Sequence, residues 1–360
     1  MRIGFDASTI QLTKGGTTVY FNNLLTALRN VAPENDYILF STGNPTSRNK
    51  LLLRQIDTLY RLYWQQYKLP KLAKENNLDV LHSPAPFAPL RAEVPRVVTF
   101  HDIYILKDPS SFHIWQSQIS NYIYPKIINS GCKIIADTNF TKKEMTSRFN
   151  IEDDQISVIH LGIDNRFRVN SNKDELELVK AKYKLPSEFI LYVGAIEPRK
   201  NMQRLVDAMS IVHNTENIPL VIVSFGGWKN KQIYQAIKKL GNNIMLLTNI
   251  NDIELPAFYN LATLFVFPSL YEGFGLPVLE AMACGCPVAI SNCGAHMEIG
   301  DDSALFFNPT NVEDIADKIL TIINSSELTQ LLISKGIYNS QKYSWEKCAI
   351  KTLDVYKSLI

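Results

Sequence analysis

Short apolar runs alternate along the chain with longer stretches in which apolar residues recur every three or four positions. RIGFDA, YILFST, DVLHS, RVVTFHD and KIIADTN are apolar at successive positions and rich in β-branched residues. That pattern marks strands covered on both faces, which means parallel strands. The stretches between them, 20–31 for example, have helical period. Strands alternating with helices predict a doubly wound α/β sheet. The pattern then restarts. ISVIHLGID (156–164) is read as a strand running into a turn, and a charged stretch, NSNKDELELVKAKYK, follows it. FILYVGAI, PLVIVSFGG, IMLLTN, TLFVFPS, PVAISN and ALFFNP form the second series, with a helix over 201–213. Two Rossmann-like domains are expected, 1–165 and 166–344, with the boundary in the turn at 162–169. An amphipathic helix over 345–359 ends the chain, and 345–360 is expected to cross back to the first domain.

Composition supports this division. A chain of 360 residues exceeds the usual single domain, and 46% hydrophobic with 20% charged residues is enough to bury full cores. The formal net charge of +2 gives no field suited to nucleic acid. Five cysteines without regular spacing suggest reduced thiols in a cytoplasmic protein. Cys284 and Cys286 stand too close for a zinc knuckle and read as small buried hydrophobes. MRIGFDAST has no signal-peptide pattern, and no apolar stretch is long enough to span a bilayer. Residues 48–75 are basic and aromatic. They read either as ordinary helices with a solvated face or as a peripheral contact with the inner face of the cytoplasmic membrane.

Chemistry concentrates in EGFGLPVLEAMACGCPV. Gly273 and Gly275 flank Phe274 and free the backbone for close approach to a ligand. Pro277 suits a first helical turn and Gly285 a helix stop. A helix therefore starts near Leu276 with its N–H groups turned outward, an arrangement that suits phosphate. Glu272 precedes the turn and Glu280 lies one turn into the helix, where each could meet sugar hydroxyls. Spacing alone also fits an ordinary strand–turn–helix.

Two glutamates separated by seven residues around GFGLP resemble the E-x7-E motif of retaining glycosyltransferases of the GT-B fold, in particular glycosyltransferase family 4. The resemblance covers nearly the whole chain and implies two Rossmann-like domains facing across a cleft. It implies that Glu272 contacts the donor sugar and Glu280 the ribose, with the backbone of Phe274, Gly275 and Leu276 facing the donor. YVGAIEPRKN resembles the family's phosphate-binding segment, which gives Arg199 and Lys200 the departing diphosphate. KGGTTVY places Gly15 and Gly16 where the family approaches the donor phosphate. The family's usual glycine and arginine are here Thr18 and Val19, and Tyr20 reads as a packing residue. His101 of FHD matches a histidine that approaches the sugar, with Asp102 beside it. Thr138 or Asn139 is expected to cap a helix. MLLTNIND matches the stretch whose backbone reads the base, here through Asn249 and Ile250, and Glu298 matches a recurrent structural glutamate.

The sequence has no D-x-D, no G-x-G-x-x-G opening a helix and no P-loop. No metal or cofactor is expected, and cations and a helix end would stabilise the leaving group instead. The resemblance implies a retaining hexosyltransferase moving glucose or mannose from a UDP or GDP sugar. The acceptor would be a saccharide or lipid-linked saccharide in surface-polysaccharide synthesis. A sugar-nucleotide epimerase or hydrolase of the same fold, or a non-catalytic sugar-nucleotide-binding subunit, stands as the alternative.

Overall fold

The computed structural model describes residues 1–8, 15–42, 60–227 and 231–360. Among them the strands are β1 Arg2–Asp6, β2 Asp36–Phe40, β3 Val80–Ser83, β4 Arg96–Phe100, β5 Lys133–Ala136 and β6 Ile156–Val158. The second series is β7 Ile190–Val193, β8 Leu220–Val223, β9 Ile244–Leu247, β10 Leu264–Phe267, β11 Val288–Ser291 and β12 Leu305–Phe307. They form two sheets, in the orders β2-β1-β3-β4-β5-β6 and β12-β11-β10-β7-β8-β9. Every pairing is parallel.

The chain divides into one unit of Met1–Gly162 with Ser344–Ile360 and another of Ile163–Tyr343. In the second unit β7, β8, β10 and β11 are buried at every position, as central strands under two helical layers must be. The edge strands β9 and β12 are only partly buried. Helix Met202–Thr215 shows how such a strand is covered. Its buried positions, Met202, Leu205, Val206, Met209 and Val212 among them, form one stripe at helical period.

The direction of winding reverses between β7 and β10, the two central strands of the second sheet. Loops leaving adjacent strands there diverge to opposite faces and open a crevice at their carboxyl ends. In the first sheet the reversal lies between β1 and β3.

Several expected elements differ in extent. The strand expected over 156–164 pairs only at Ile156–Val158, at the edge of its sheet where no further neighbour extends the ladder. The stretch read only as charged contains a helix, Lys173–Tyr183. Asn172 caps it by accepting the Glu175 amide, and acidic residues fill its first turn and lysines its last. Of the basic aromatic stretch, 48–59 lies outside the described residues. The rest includes a π-helical turn, Trp64–Lys68, running into helix Leu69–Glu75.

Helix Trp345–Lys357 belongs to the first unit, where it packs on helix Gly16–Val31. Tyr356 anchors it. Its hydroxyl lies 2.6 Å from His82 Nδ1, His82 Nε2 lies 2.8 Å from Thr99 Oγ1, and the Tyr20 hydroxyl lies 3.0 Å from that same oxygen. All four side chains are buried, so each polar group needs its partner. At Gly162 the backbone runs so close to Trp345 that a Cβ would stand 2.0 Å from the Trp345 amide nitrogen. Only glycine fits there.

Candidate active site

In the second unit the chain leaves β10, whose residues are fully buried, and turns through 268–275 into helix Leu276–Ala283. Gly275 is the residue before the helix, with φ +108°. That conformation favours glycine, and an added Cβ would meet the His296 ring at 3.3 Å. Pro277 occupies the first turn, where its missing N–H costs nothing.

The loop leaving β7 supplies the opposite side. A three-residue 3₁₀ turn, Pro198–Lys200, sends both cations toward Glu272. Lys200 Nζ donates to Glu272 Oε1 at 2.6 Å, and Arg199 Nη1 donates to Glu272 Oε2 at 2.9 Å. Arg199 Nη1 also donates to the Tyr271 carbonyl at 3.1 Å. The Leu270 amide donates to the Arg199 carbonyl at 2.8 Å, which ties the two loops together through their backbones. Lys200 Nζ stands 4.7 Å from the centroid of the Phe267 ring, a cation–π contact.

Burial decides the electrostatics. It pushes the Glu272 carboxyl upward, but Arg199 and Lys200 pull harder and hold it down at about 2. Burial lowers the Lys200 ammonium against the pull of Glu272. Buried charges of this kind persist only when paired.

Glu280, further along the helix, has a different environment. Burial pushes its carboxyl up to about 7, although the Tyr259 hydroxyl donates to its Oε2 at 2.9 Å and pulls the other way. One motif therefore holds two carboxylates of opposite tendency, one fixed as an anion and one that titrates near neutrality.

His296 is a residue that sequence reasoning missed. The segment GAHMEIGDD drew attention only to Glu298, which sits in the short helix His296–Gly300. Ser291 Oγ donates to the Ser269 carbonyl at 2.6 Å. With its one proton committed, that oxygen accepts from His296 Nδ1 at 2.8 Å. This leaves Nε2 as a buried lone pair with no hydrogen-bond partner among the described residues, directly beneath Gly275. Burial lowers the imidazole to about 4, so it is neutral at pH 7. A lone histidine carries no periodic signal that could have flagged it.

The remaining expected site residues lie on other elements. Asn249 is exposed and Ile250 half-buried, in the loop after β9. Gly15 and Gly16 open helix Gly16–Val31 of the first unit, where an added Cβ on either would meet nothing within 4 Å among the described residues. Thr138 caps helix Asn139–Phe149 by accepting the Thr141 amide at 3.1 Å. His101, after β4, is engaged at both nitrogens. Nδ1 lies 2.7 Å from Asp137 Oδ2, and Nε2 lies 3.1 Å from the Pro84 carbonyl. A carbonyl only accepts, so Nε2 carries a proton. Burial alone would lower His101, but Asp137 outweighs it and the net direction is up. Tyr20 is buried with its ring edge-on to His101 at 4.8 Å, as a packing residue would be.

Two family models match the chain in succession, "Glycosyltransferase Family 4" over residues 14–167 and "Glycosyl transferases group 1" over 175–337. The O-antigen chain mannosyltransferase B of Escherichia coli is 30% identical over 285 residues, which is 78% of this chain and 74% of that one. The chain belongs to glycosyltransferase family 4. A second E. coli relative, the serotype-specific mannosyltransferase WbdA, is 30% identical to this family-4 chain over 63% of its length and 29% of its own. Among solved structures, Anabaena HepE in complex with UDP-glucose superposes with a TM-score of 0.79 at 18% identity, covering 100% of both chains. The family-4 glycosyltransferase thus has the GT-B fold, and its cation–carboxylate cluster sits where the second sheet reverses.

Proposed function

We propose that this glycosyltransferase moves mannose or glucose, with retention and without a metal, from a GDP or UDP sugar to a saccharide or lipid-linked saccharide in surface-polysaccharide synthesis. The observation that carries the reading is the meeting of Arg199, Lys200 and Glu272 beside the N-terminus of helix Leu276–Ala283. Two cations and a helix end provide the positive charge that a departing nucleoside diphosphate requires. The names of the E. coli relatives favour mannose, and the HepE complex is an example of UDP-glucose on this fold.

The donor binds to Ile163–Tyr343. Arg199, Lys200 and the backbone of Phe274, Gly275 and Leu276 take its diphosphate, Glu272 takes sugar hydroxyls and Glu280 the ribose. Asn249 and Ile250 border the base. The acceptor binds to the first unit, whose His101, Gly15 and Gly16 are the residues that the family resemblance assigns to substrate. The bond from the anomeric carbon to the diphosphate oxygen breaks. The acceptor hydroxyl forms its bond on the same face, and its proton passes to the departing phosphate oxygen. Double displacement would need a carboxylate on the opposite face, and none of the residues described above is assigned that role.

Calorimetry with GDP-mannose, UDP-glucose and UDP-N-acetylglucosamine identifies the donor, and NMR of the product identifies the anomer. Lys200→Ala is expected to lower turnover at least 100-fold. Turnover that survives it, or an inverted product, overturns the reading. The helical stretch 60–75 exposes Tyr60, Tyr63 and Tyr67 beside Lys68, Lys71 and Lys74, a combination suited to an anionic bilayer surface at the cytoplasmic face. Flotation with vesicles containing phosphatidylglycerol tests that contact, and protein left at the bottom of the gradient excludes it.

A further inference from the structure

Arg199 is held from two sides. Glu272 takes one edge of the guanidinium, and Glu197 takes the other. Glu197 Oε1 accepts from Arg199 Nε at 3.1 Å and from Nη2 at 3.0 Å. The Glu197 side chain is 3% exposed, and its carbonyl accepts the Lys200 amide at 3.0 Å, which closes the 3₁₀ turn. Burial pushes this carboxyl up, and Arg199 is the strongest influence drawing it back.

Glu197, Arg199, Glu272 and Lys200 sum to zero. A neutral cluster offers little net attraction to a diphosphate, and the donors that would grip it at Nη1 and Nζ are occupied by Glu272. One carboxylate has to turn away. Glu272 is suited to do so, because it opens a turn that contains Gly273 and Gly275. Glu197 is fixed by the 3₁₀ turn that it begins.

We propose that Glu197 is a positioning residue that keeps the Nε–Nη2 edge of Arg199, so that the Nη1 edge and the Lys200 ammonium pass from Glu272 to the donor diphosphate while Glu272 turns to the donor sugar. This rests on the donor-binding reading given above. Glu197 acts through Arg199 and touches no reacting atom. It determines which edge of the guanidinium faces the ligand.

The test is a double-mutant cycle in the full-length protein: wild type, Glu197→Gln, Arg199→Met, the double variant, and Lys200→Met. Affinity for GDP and UDP is measured by calorimetry. Turnover is measured as nucleoside-diphosphate release from GDP-mannose and UDP-glucose. Glu197→Gln is expected to lower turnover about 10- to 100-fold while binding the nucleoside diphosphate at least as tightly as wild type, because a negative charge has been removed beside it. In the Arg199→Met background the same substitution is expected to cost less than about twofold. Glu197→Asp, which keeps the charge, is expected to recover part of the loss. Should Glu197→Gln lose its melting transition, the cycle is run with Glu197→Asp, and about a threefold loss that vanishes without Arg199 supports the proposal. Equal losses with and without Arg199, or unchanged turnover in Glu197→Gln, overturn it. If Arg199→Met and Lys200→Met both turn over like wild type, the donor-binding reading itself fails. If both are impaired and Glu197→Gln is not, only the role of Glu197 fails.

Discussion

Replacing Glu272 with glutamine removes a carboxylate that the fold holds as an anion, and the effect on stability should depend on pH with a definite sign. An unfolded glutamate titrates near 4.5, whereas Glu272 is held at about 2. At about 1.4 kcal/mol for each tenfold change in proton affinity, that difference contributes about 3 kcal/mol to the second unit at neutral pH. A depressed carboxyl gives stability that is complete above its unfolded value and lost as pH falls toward its folded value. The loss therefore begins near pH 4.5 and runs toward pH 2. At pH 7, Glu272→Gln also leaves Arg199 and Lys200 without their shared partner, a cost of about 3–5 kcal/mol for a buried pair. As pH falls, wild type loses its advantage and the variant does not. The gap between them should narrow by about 1 kcal/mol between pH 7 and pH 3.5. Glu197, which burial pushes up, titrates in both proteins, so the difference between the curves is the informative quantity. Urea series with pulsed hydrogen exchange, read by mass spectrometry on peptides from β7 and β10, report the unfolding of that unit alone. A gap that stays constant across this range would refute the ion-pair account of Glu272.

Gly275→Ala should lower the melting temperature of the second unit by several degrees, about 1–3 kcal/mol, because φ +108° strains an alanine and its methyl presses on His296; unchanged melting would show that the turn relaxes freely. Tyr259→Phe removes a hydrogen bond that holds the raised Glu280 carboxyl down at about 7. The carboxylate form accepts ribose hydroxyls, so GDP or UDP affinity should fall as pH drops through about 7, with the midpoint moved upward in the variant; calorimetry from pH 6 to 8.5 reads both. Tyr356→Phe leaves His82 Nδ1 unpaired in a buried site and should cost the first unit about 1–3 kcal/mol, measured by urea unfolding.

Much of the fold was legible because its central strands are buried on both faces and so read as unbroken apolar runs. The edge strand β6 was overextended because apolar residues continue past the last paired position, and pairing depends on a neighbour that composition does not reveal. Helix Lys173–Tyr183 was missed for the opposite reason. It buries only Val179, so almost no apolar stripe marks it, although Asn172, Asp174 and Glu175 signalled its start. In the candidate site, Glu272, Arg199 and Lys200 stood out through motif and charge. Their mutual pairing did not, because residues 72 and 73 positions apart meet only through the order of β7 and β10 in the sheet. Glu197 and His296 matter through burial and hydrogen bonds, and sequence spacing carries no trace of either.

The first unit is built from two separated pieces of chain, and this sets an order of events during synthesis. Residues Ile163–Tyr343 are contiguous and can fold as soon as they leave the ribosome. Helix Trp345–Lys357 emerges only after them, on the order of ten seconds or more behind the strands that await it. His82 meets Tyr356 across 274 positions of sequence. Until that helix arrives, the face of helix Gly16–Val31 on which it packs stays open. The portion made first is thus completed last, and a chain stalled before Trp345 would hold a finished second unit on an unfinished first one. Such a chain is the form that chaperones and proteases would meet.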